Sequence, residues 1–360
     1  MPVPGGAWQQ GRLAECRWPT CQPEEGISMV VRKAEDYHKV LRLFPPMPEP
    51  PFEESLSLEK YWGRCWGADS EVGKLECVLV HRPGDEMKVI DEAKWDSEVG
   101  ALIDDERKWY WRGEKGPDID LMKKQHDDFV EIMKQEGVEV VYLKDIILDR
   151  PKSVFTRDLG AAVPGGVILG RFAPAMRRGE EKTALSTLGS MSVPILRTIH
   201  GSGTFEGGNF ALIDRRHAAL GYSSRTNLEG VRQVREVLDV LGMELIVVPL
   251  TGYALHLDGA FAMVDTDIAL VNVTKLPFWF LEKLQELGIR AIEVHSEDNW
   301  YAINCVPLSP GKIVMASGSD RTAERLGEVG VQVIQTEFNE ILKNGGGPRC
   351  STMPLLRNKL

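Results

Sequence analysis

One order of elements recurs along most of this chain, and that recurrence constrains the fold more than any single motif. Ala161-Ala162-Val163 and Val167-Ile168-Leu169 flank Pro164-Gly165-Gly166, a hairpin pattern. A helix is expected around residues 181–188 and a strand over 193–196. The next unit places Phe210-Ala211-Leu212-Ile213 and Ala218-Ala219-Leu220-Gly221 around Asp214-Arg215-Arg216-His217, then a helix over 228–241 and the strand Leu245-Ile246-Val247-Val248. Ala260 to Val264 and Ile268 to Val271 open a third such unit, with a helix over 278–287 and a strand over 291–294. Cys305 to Leu308 and Lys312 to Met315 open a fourth, with a helix over 321–326 and a strand over 331–334. Cys77-Val78-Leu79-Val80, a helix over 118–135 and the β-branched run 138–143 make an earlier unit, interrupted by an acidic, Trp-containing insertion. About five strand–strand–helix–strand units therefore follow one another at a period of roughly fifty residues, as in repeat arrays and propeller-like folds. Units with one helix each cannot bury both faces of their strands alone, so they must share a core. If they close around an axis, the residues at the start of each unit converge there.

Residues 1–70 read differently. Pro45-Pro46-Met47-Pro48-Glu49-Pro50-Pro51 is neither helix nor central strand, because proline lacks the N–H donor and fixes its own φ. This part is expected as an N-terminal, proline-containing extension with one short helix near 34–43, and residues 71–360 as the α/β catalytic domain. Trp62 and Trp66 pin the end of the extension to the core or help cover the site. Trp95, Trp109 and Trp111 mark the acidic insertion as a lid or an oligomer contact.

Composition mainly excludes. The 360 residues carry a formal net charge of −10, a poor basis for binding nucleic acid through phosphates and a better one for cationic small substrates. Six cysteines in a chain of this length are no disulfide framework. Cys16 and Cys21 are followed by no matching ligand cluster, so neither a metal nor another cofactor is expected. No run approaches a membrane span, and Met1-Pro2-Val3-Pro4-Gly5-Gly6 lacks the basic and apolar regions of a signal peptide, so a cytoplasmic location is expected.

At the unit starts stand Phe155-Thr156-Arg157-Asp158, Phe205-Glu206-Gly207-Gly208-Asn209, His256-Leu257-Asp258 and Cys305. Cys350 lies in the tail Gly345-Gly346-Gly347-Pro348-Arg349-Cys350-Ser351-Thr352-Met353-Pro354-Leu355. Each has an ordinary structural explanation alone: an ion pair, a turn, a buried histidine, an idle thiol on a flexible tail. Together they form a chemical set. A thiol needs a base or cation to become a nucleophile, histidine moves protons near neutral pH, and a carboxylate fixes its orientation. Further carboxylates suit a planar cation with paired N–H donors, which is the guanidinium group.

These motifs, in this order from about Leu75 onward, resemble the guanidine-modifying superfamily, which includes arginine deiminases, dimethylarginine dimethylaminohydrolases and amidinotransferases. The resemblance implies an α/β fold, the five-bladed α/β propeller with pseudo-fivefold symmetry. It also implies Cys350 as nucleophile, His256 as general acid and base, and Glu206 as the carboxylate that bonds the histidine. Asp158 and Asp258 would grip the guanidinium, Arg225 would hold a substrate carboxylate with help from Arg178 or Arg177, and Arg157 and Asn209 would complete the substrate site. The expected partner is a small guanidino compound, attacked at its guanidine carbon to give a covalent thiouronium adduct, and a homo-oligomer is possible. Glu206 and the segment Arg349 to Leu355 favour deiminase-type hydrolysis over amidino transfer. Asn209 stands where deiminases usually have aspartate, Gly345 where they usually have an arginine, and the segment between Leu75 and Val138 is short for their helical insertion. Free arginine, a methylated arginine and other guanidino compounds thus stay open as substrates. The remaining alternative is a propeller that binds such ligands without turnover.

Overall fold

The computed structural model describes residues 38, 39, 42, 51, 53–252 and 254–360. Backbone contacts group Pro50–Leu360 as one unit and Met1–Glu49 as another. In the latter, His38, Lys39 and Arg42 are helical, where a short helix is expected; Cys16, Cys21 and Pro45 to Pro50 lie outside the described residues. No helix among the described residues is long and apolar enough to cross a membrane.

Each expected unit forms a three-stranded sheet. Gly160–Val163, Gly166–Leu169 and Ile195–Thr198 make one; Phe210–Leu212, His217–Tyr222 and Glu244–Pro249 the next. Phe261–Met263, Ile268–Val271 and Arg290–Glu293 make a third, and Val306–Ser309, Lys312–Ala316 and Gln332–Thr336 a fourth. In all four the first two strands pair antiparallel through a short turn, and the third runs parallel to the second after a helical crossover. That order follows from connection length, since antiparallel neighbours need only a tight turn and parallel ones need a crossover.

The earliest unit is completed differently. Leu75–Val80 pairs in parallel with Glu139–Tyr142 across the helix Ile119–Gln135, but its antiparallel partner is Met353–Arg357 from the far end of the chain. The last strand thus fills the place that a hairpin partner fills elsewhere. The crossover helix shows why its sequence is amphipathic. Met122, Phe129, Val130 and Met133 are buried on one face, and Asp118 caps the N-terminus by accepting the Leu121 N–H at 2.9 Å.

Single helical turns precede the first strands of the four complete units: Thr156–Leu159, Gly207–Asn209, Leu257–Gly259 and Trp300–Ile303. Each touches the next in that order. The cysteine tail lies between the last and the first. The Cys350 N–H donates to Asn304 Oδ1 at 3.1 Å, and the Arg157 N–H donates to the Cys350 carbonyl at 3.0 Å.

The acidic insertion folds as a small antiparallel sheet, Trp95–Asp96, Ala101–Asp104 and Trp109–Trp111. Trp109 and Trp111 are buried in the same cluster as Phe155 and Cys350, so this sheet packs beside the cysteine tail. From Ser55 onward the segment expected as an extension packs with the α/β sheets. Trp66 is buried against Leu79 and Leu355, and the Gly67 N–H donates to the Leu355 carbonyl at 3.0 Å. Trp62 is half exposed, and its carbonyl accepts the Trp66 indole N–H at 3.1 Å.

Candidate active site

The helical turns at the unit starts deliver Asp158, Glu206, His256 with Asp258, and Asn304 to a common point. The imidazole of His256 donates its Nε2–H to Glu206 Oε2 at 2.8 Å, and the same nitrogen is 3.6 Å from Asp158 Oδ1. Across the site, Cys350 Sγ is 3.2 Å from Asp258 Oδ2, and Asn304 Nδ2 donates to the sulfur at 3.1 Å. Asp158 is further fixed by the Gly208 N–H, donated to Oδ1 at 3.2 Å, and by Arg177 Nη1 at 2.5 Å from Oδ2. The glycine at 208 has a direct reason. A Cβ there would stand 2.6 Å from Asp158 Oδ1 and 3.0 Å from the His256 ring, so any side chain would separate these two groups.

The electrostatics are set by concentrating buried carboxylates in one site. Burial works against an imidazolium at His256, yet Asp158, the Glu206 hydrogen bond and Asp258 outweigh it and raise its pKa to about 9. Burial also pushes the Cys350 thiol well above its usual value, and Asp258 and Asp158 push it the same way. Asp258 is itself raised, by burial first and with Asp158 adding, although the charge on His256 opposes this. Asp158 goes down: burial favours its neutral form, but His256 and Arg177 overcome that. Near neutral pH without a ligand, the site therefore holds a protonated histidine and a neutral thiol. Asp158, Glu206 and His256 have ligand atoms within 4.8 Å of one another, close enough for a metal ion. Their chemistry argues against a resident one, because Arg177 already pairs with Asp158 and the imidazole holds its proton.

Cys350, His256, Glu206, Asp158 and Asp258 are thus brought together. Arg225 lines the same space, with its buried Nε bonded to no group among the described residues. Three expected substrate residues lie elsewhere. Arg178 is exposed and donates to the Phe172 and Ala173 carbonyls at 3.4 and 3.3 Å. Its neighbour Arg177 is the one at the site, stacked 4.3 Å over Phe172 and paired with Asp158 and Glu180. Arg157 points away, to Glu71 at 2.8 Å and the Phe210 carbonyl at 2.9 Å. Asn209 is fully buried; it donates to Thr226 Oγ1 at 3.0 Å and accepts the Leu257 N–H at 3.0 Å, bracing two of the turns.

Other residues at the site had no sequence signal strong enough to single them out. Asn304 is one, although it immediately precedes Cys305 at a unit start. Tyr110 and Arg112 come from the insertion, Lys152 precedes the first turn, and Lys275 and Tyr301 lie in later units. Cys305 is buried and its thiol is pushed up to about 11 by burial.

Residues 104–357 match the family described as N,N dimethylarginine dimethylhydrolase, eukaryotic. The N(G),N(G)-dimethylarginine dimethylaminohydrolase of Pseudomonas aeruginosa is 28% identical, over 66% of this chain and 89% of its own length. A solved enzyme of that kind from the same organism, complexed with citrulline, matches with a TM-score of 0.61 at 23% identity, over 79% of this chain and 100% of the other. The arginine deiminase of Oenococcus oeni is 21% identical, over 81% of this chain and 97% of its own length. SxtG, an amidinotransferase from Microseira wollei, matches in structure with a TM-score of 0.65 at 16% identity, over 82% and 98% of the two chains. The α/β fold is that of these structures, and the chain belongs to the N,N dimethylarginine dimethylhydrolase (eukaryotic) family within the guanidine-modifying superfamily.

Proposed function

We propose that the protein is a cysteine-dependent hydrolase acting on the guanidine carbon of arginine or a related guanidino compound. The observation that carries this is the pairing of an Sγ at 3.2 Å from one carboxylate with a histidine at 2.8 Å from another, around one cavity. A guanidinium bound between Asp158 and Asp258 supplies the positive charge that the empty site lacks beside the thiol. It reverses the field that holds Cys350 protonated, so thiolate forms when substrate is present. The sulfur then bonds to the guanidine carbon, and His256 gives its proton to the departing amine. Neutral His256 next takes a proton from water, the hydroxide adds to the thiouronium carbon, and the C–S bond breaks to release a urea-type product and free Cys350. Glu206 holds the imidazole in position, and Arg225 with Arg177 lies where an anionic end of the substrate would sit.

The same reading has five units closing around a pseudo-fivefold axis as an α/β propeller. Its support is the succession of touching turns and the C-terminal strand that completes the first sheet. A cytoplasmic setting fits the four free cysteines among the described residues.

Cys350→Ser tests the proposal. The variant should keep the wild-type circular dichroism spectrum and lose turnover; full activity would end the reading. Products from arginine, methylated arginines and agmatine assign the substrate. Citrulline with ammonia marks deimination, and citrulline with a methylamine marks removal of a methylated amine.

A further inference from the structure

A cavity of about 430 Å³ lies outside the catalytic site, against the inserted sheet. The turn 106–109 forms one wall and residues 149–151 another. Met176 closes it on the side of the catalytic cavity and is the one lining residue the two share. Small-molecule sites measure roughly 300–1,000 Å³, so this space suits an organic ligand better than a single ion.

Three features of the lining point to what it takes. Trp109 is 2% exposed, and its indole N–H meets no acceptor among the described residues, whereas that of Trp111 donates to the Lys115 carbonyl at 2.9 Å. A buried N–H left unpaired is costly, and an acceptor brought by a ligand removes the cost. Lys108 stands at φ +63, a left-handed backbone in which glycine or asparagine would sit with less strain. The turn nevertheless closes on a lysine, whose N–H donates to the Asp104 carbonyl at 2.7 Å. The charges are also unequal. Arg150 pairs with Asp149 at 2.7 Å and gives Nε and Nη2 to the Arg178 carbonyl at 3.1 and 3.0 Å. Arg107 and Lys108 form no ion pair with a described residue. The nearby Asp104 spends Oδ1 on the Glu106 and Arg107 N–H groups at 3.0 and 2.7 Å. Glu106 is the one unpaired carboxylate on the lining, against two unpaired cations.

We propose that this cavity is a binding site, separate from the catalytic one, for a small organic anion with a planar or apolar body. Lys108 and Arg107 hold the anionic group, and the body lies along Trp109, Pro151 and Met176. Glu106, Arg107 and Lys108 are exposed and their side chains reorient freely, so a ligand oxygen can come up to the Trp109 indole N–H. A carboxylate and a phosphate offer the same chemistry here, a compact negative group with several acceptor oxygens. The site stands apart from the hydrolase reading, because Met176 is all that it shares with the catalytic cavity.

Calorimetric titration of the full-length wild-type protein with benzoate, phenyl phosphate, inorganic phosphate and benzylamine reads the site without any turnover, so failure of the hydrolase reading would leave the result unchanged. At least one of the two aromatic anions should bind about tenfold or more tightly than either inorganic phosphate or benzylamine, and the better of the two names the anionic group. Lys108→Gly removes the ammonium and relieves the left-handed backbone, so binding should fall about tenfold while Tm holds or rises. Arg107→Met should weaken binding in the same direction. Equal binding of all four probes, or an aromatic anion held as tightly by Lys108→Gly as by the wild type, overturns the proposal. So does binding that is lost in Arg225→Met and kept in Lys108→Gly, which would put the anion in the catalytic cavity.

Discussion

Glu206→Gln isolates the charge that keeps His256 protonated. Glu206 is 1% exposed and its Oε2 is 2.8 Å from Nε2, so the amide keeps the shape and a hydrogen bond while removing the charge. A buried hydrogen bond between charged groups contributes about 1.5–3 kcal/mol, which is roughly one to two pKa units. His256 should then fall from about 9 towards about 7 to 8, held up only by Asp158 and Asp258. Two consequences follow. In the proposed mechanism the imidazolium protonates the departing amine; in the variant it is lost at lower pH, so the alkaline limb of the kcat profile should move down by about one to two pH units. Stability changes with a definite sign as well. The folded pKa lies above the usual 6.5, so the protonated histidine stabilises the fold fully below that pH, and the contribution disappears as pH rises through about 9. For the wild type this is on the order of 3 kcal/mol, and the variant should retain about half and lose it at lower pH. NMR titration of the His256 ring carbons, with the pH dependence of kcat and of Tm, measures all three. A ring pKa unchanged or raised in Glu206→Gln would refute the assignment of this charge as a main support of the imidazolium.

Gly345→Ala should lower Tm by several degrees, since its Cβ meets the Tyr110 hydroxyl at 2.3 Å and φ +104 strains the backbone at a cost of about 1–3 kcal/mol. Adding Tyr110→Ala should recover the steric part and leave the backbone part, which thermal denaturation of the two variants separates. Glu71→Gln removes the carboxylate that bonds both Arg157 at 2.8 Å and Arg349 at 3.0 Å, and should cost about 3–5 kcal/mol at neutral pH in urea titrations. Burial opposes ionisation of Glu71, but Arg157, Arg349 and Arg357 hold its pKa at about 2 against the usual 4.5. Its contribution is therefore present above pH 4.5 and disappears as pH falls through about 2, and the deficit of the variant should shrink over that window.

Much of this protein is legible in the chain itself because its signals are local. Alternating apolar runs with turn residues between them give Phe210–Leu212 and His217–Tyr222 their hairpin, and Asn227 marks a helix start by accepting the Gly230 N–H at 2.9 Å. Such patterns depend on neighbours a few residues away, so the unit order follows from sequence, and so does a candidate set of five side chains at three of the unit starts and in the tail. Arg178 is not legible in that way. Adjacent arginines have the same chemistry in a string of letters, and only packing on Phe172 with the ion pair to Glu180 selects Arg177.

What sequence determines by itself is therefore the repeating unit and the kind of chemistry its turns carry. Tertiary structure decides the rest. It takes Met353–Arg357 from the end of the chain to finish the sheet begun by Leu75–Val80, and it turns Arg157 and Asn209 into internal braces. It also brings Tyr110 against Gly345 across more than half the chain, both of them lining the space around Cys350. The physical reason is range. A turn or a cap is written within a few residues, whereas the pairing of distant strands, the fit of a phenol beside a glycine and the field at a buried thiol depend on groups that only folding makes neighbours.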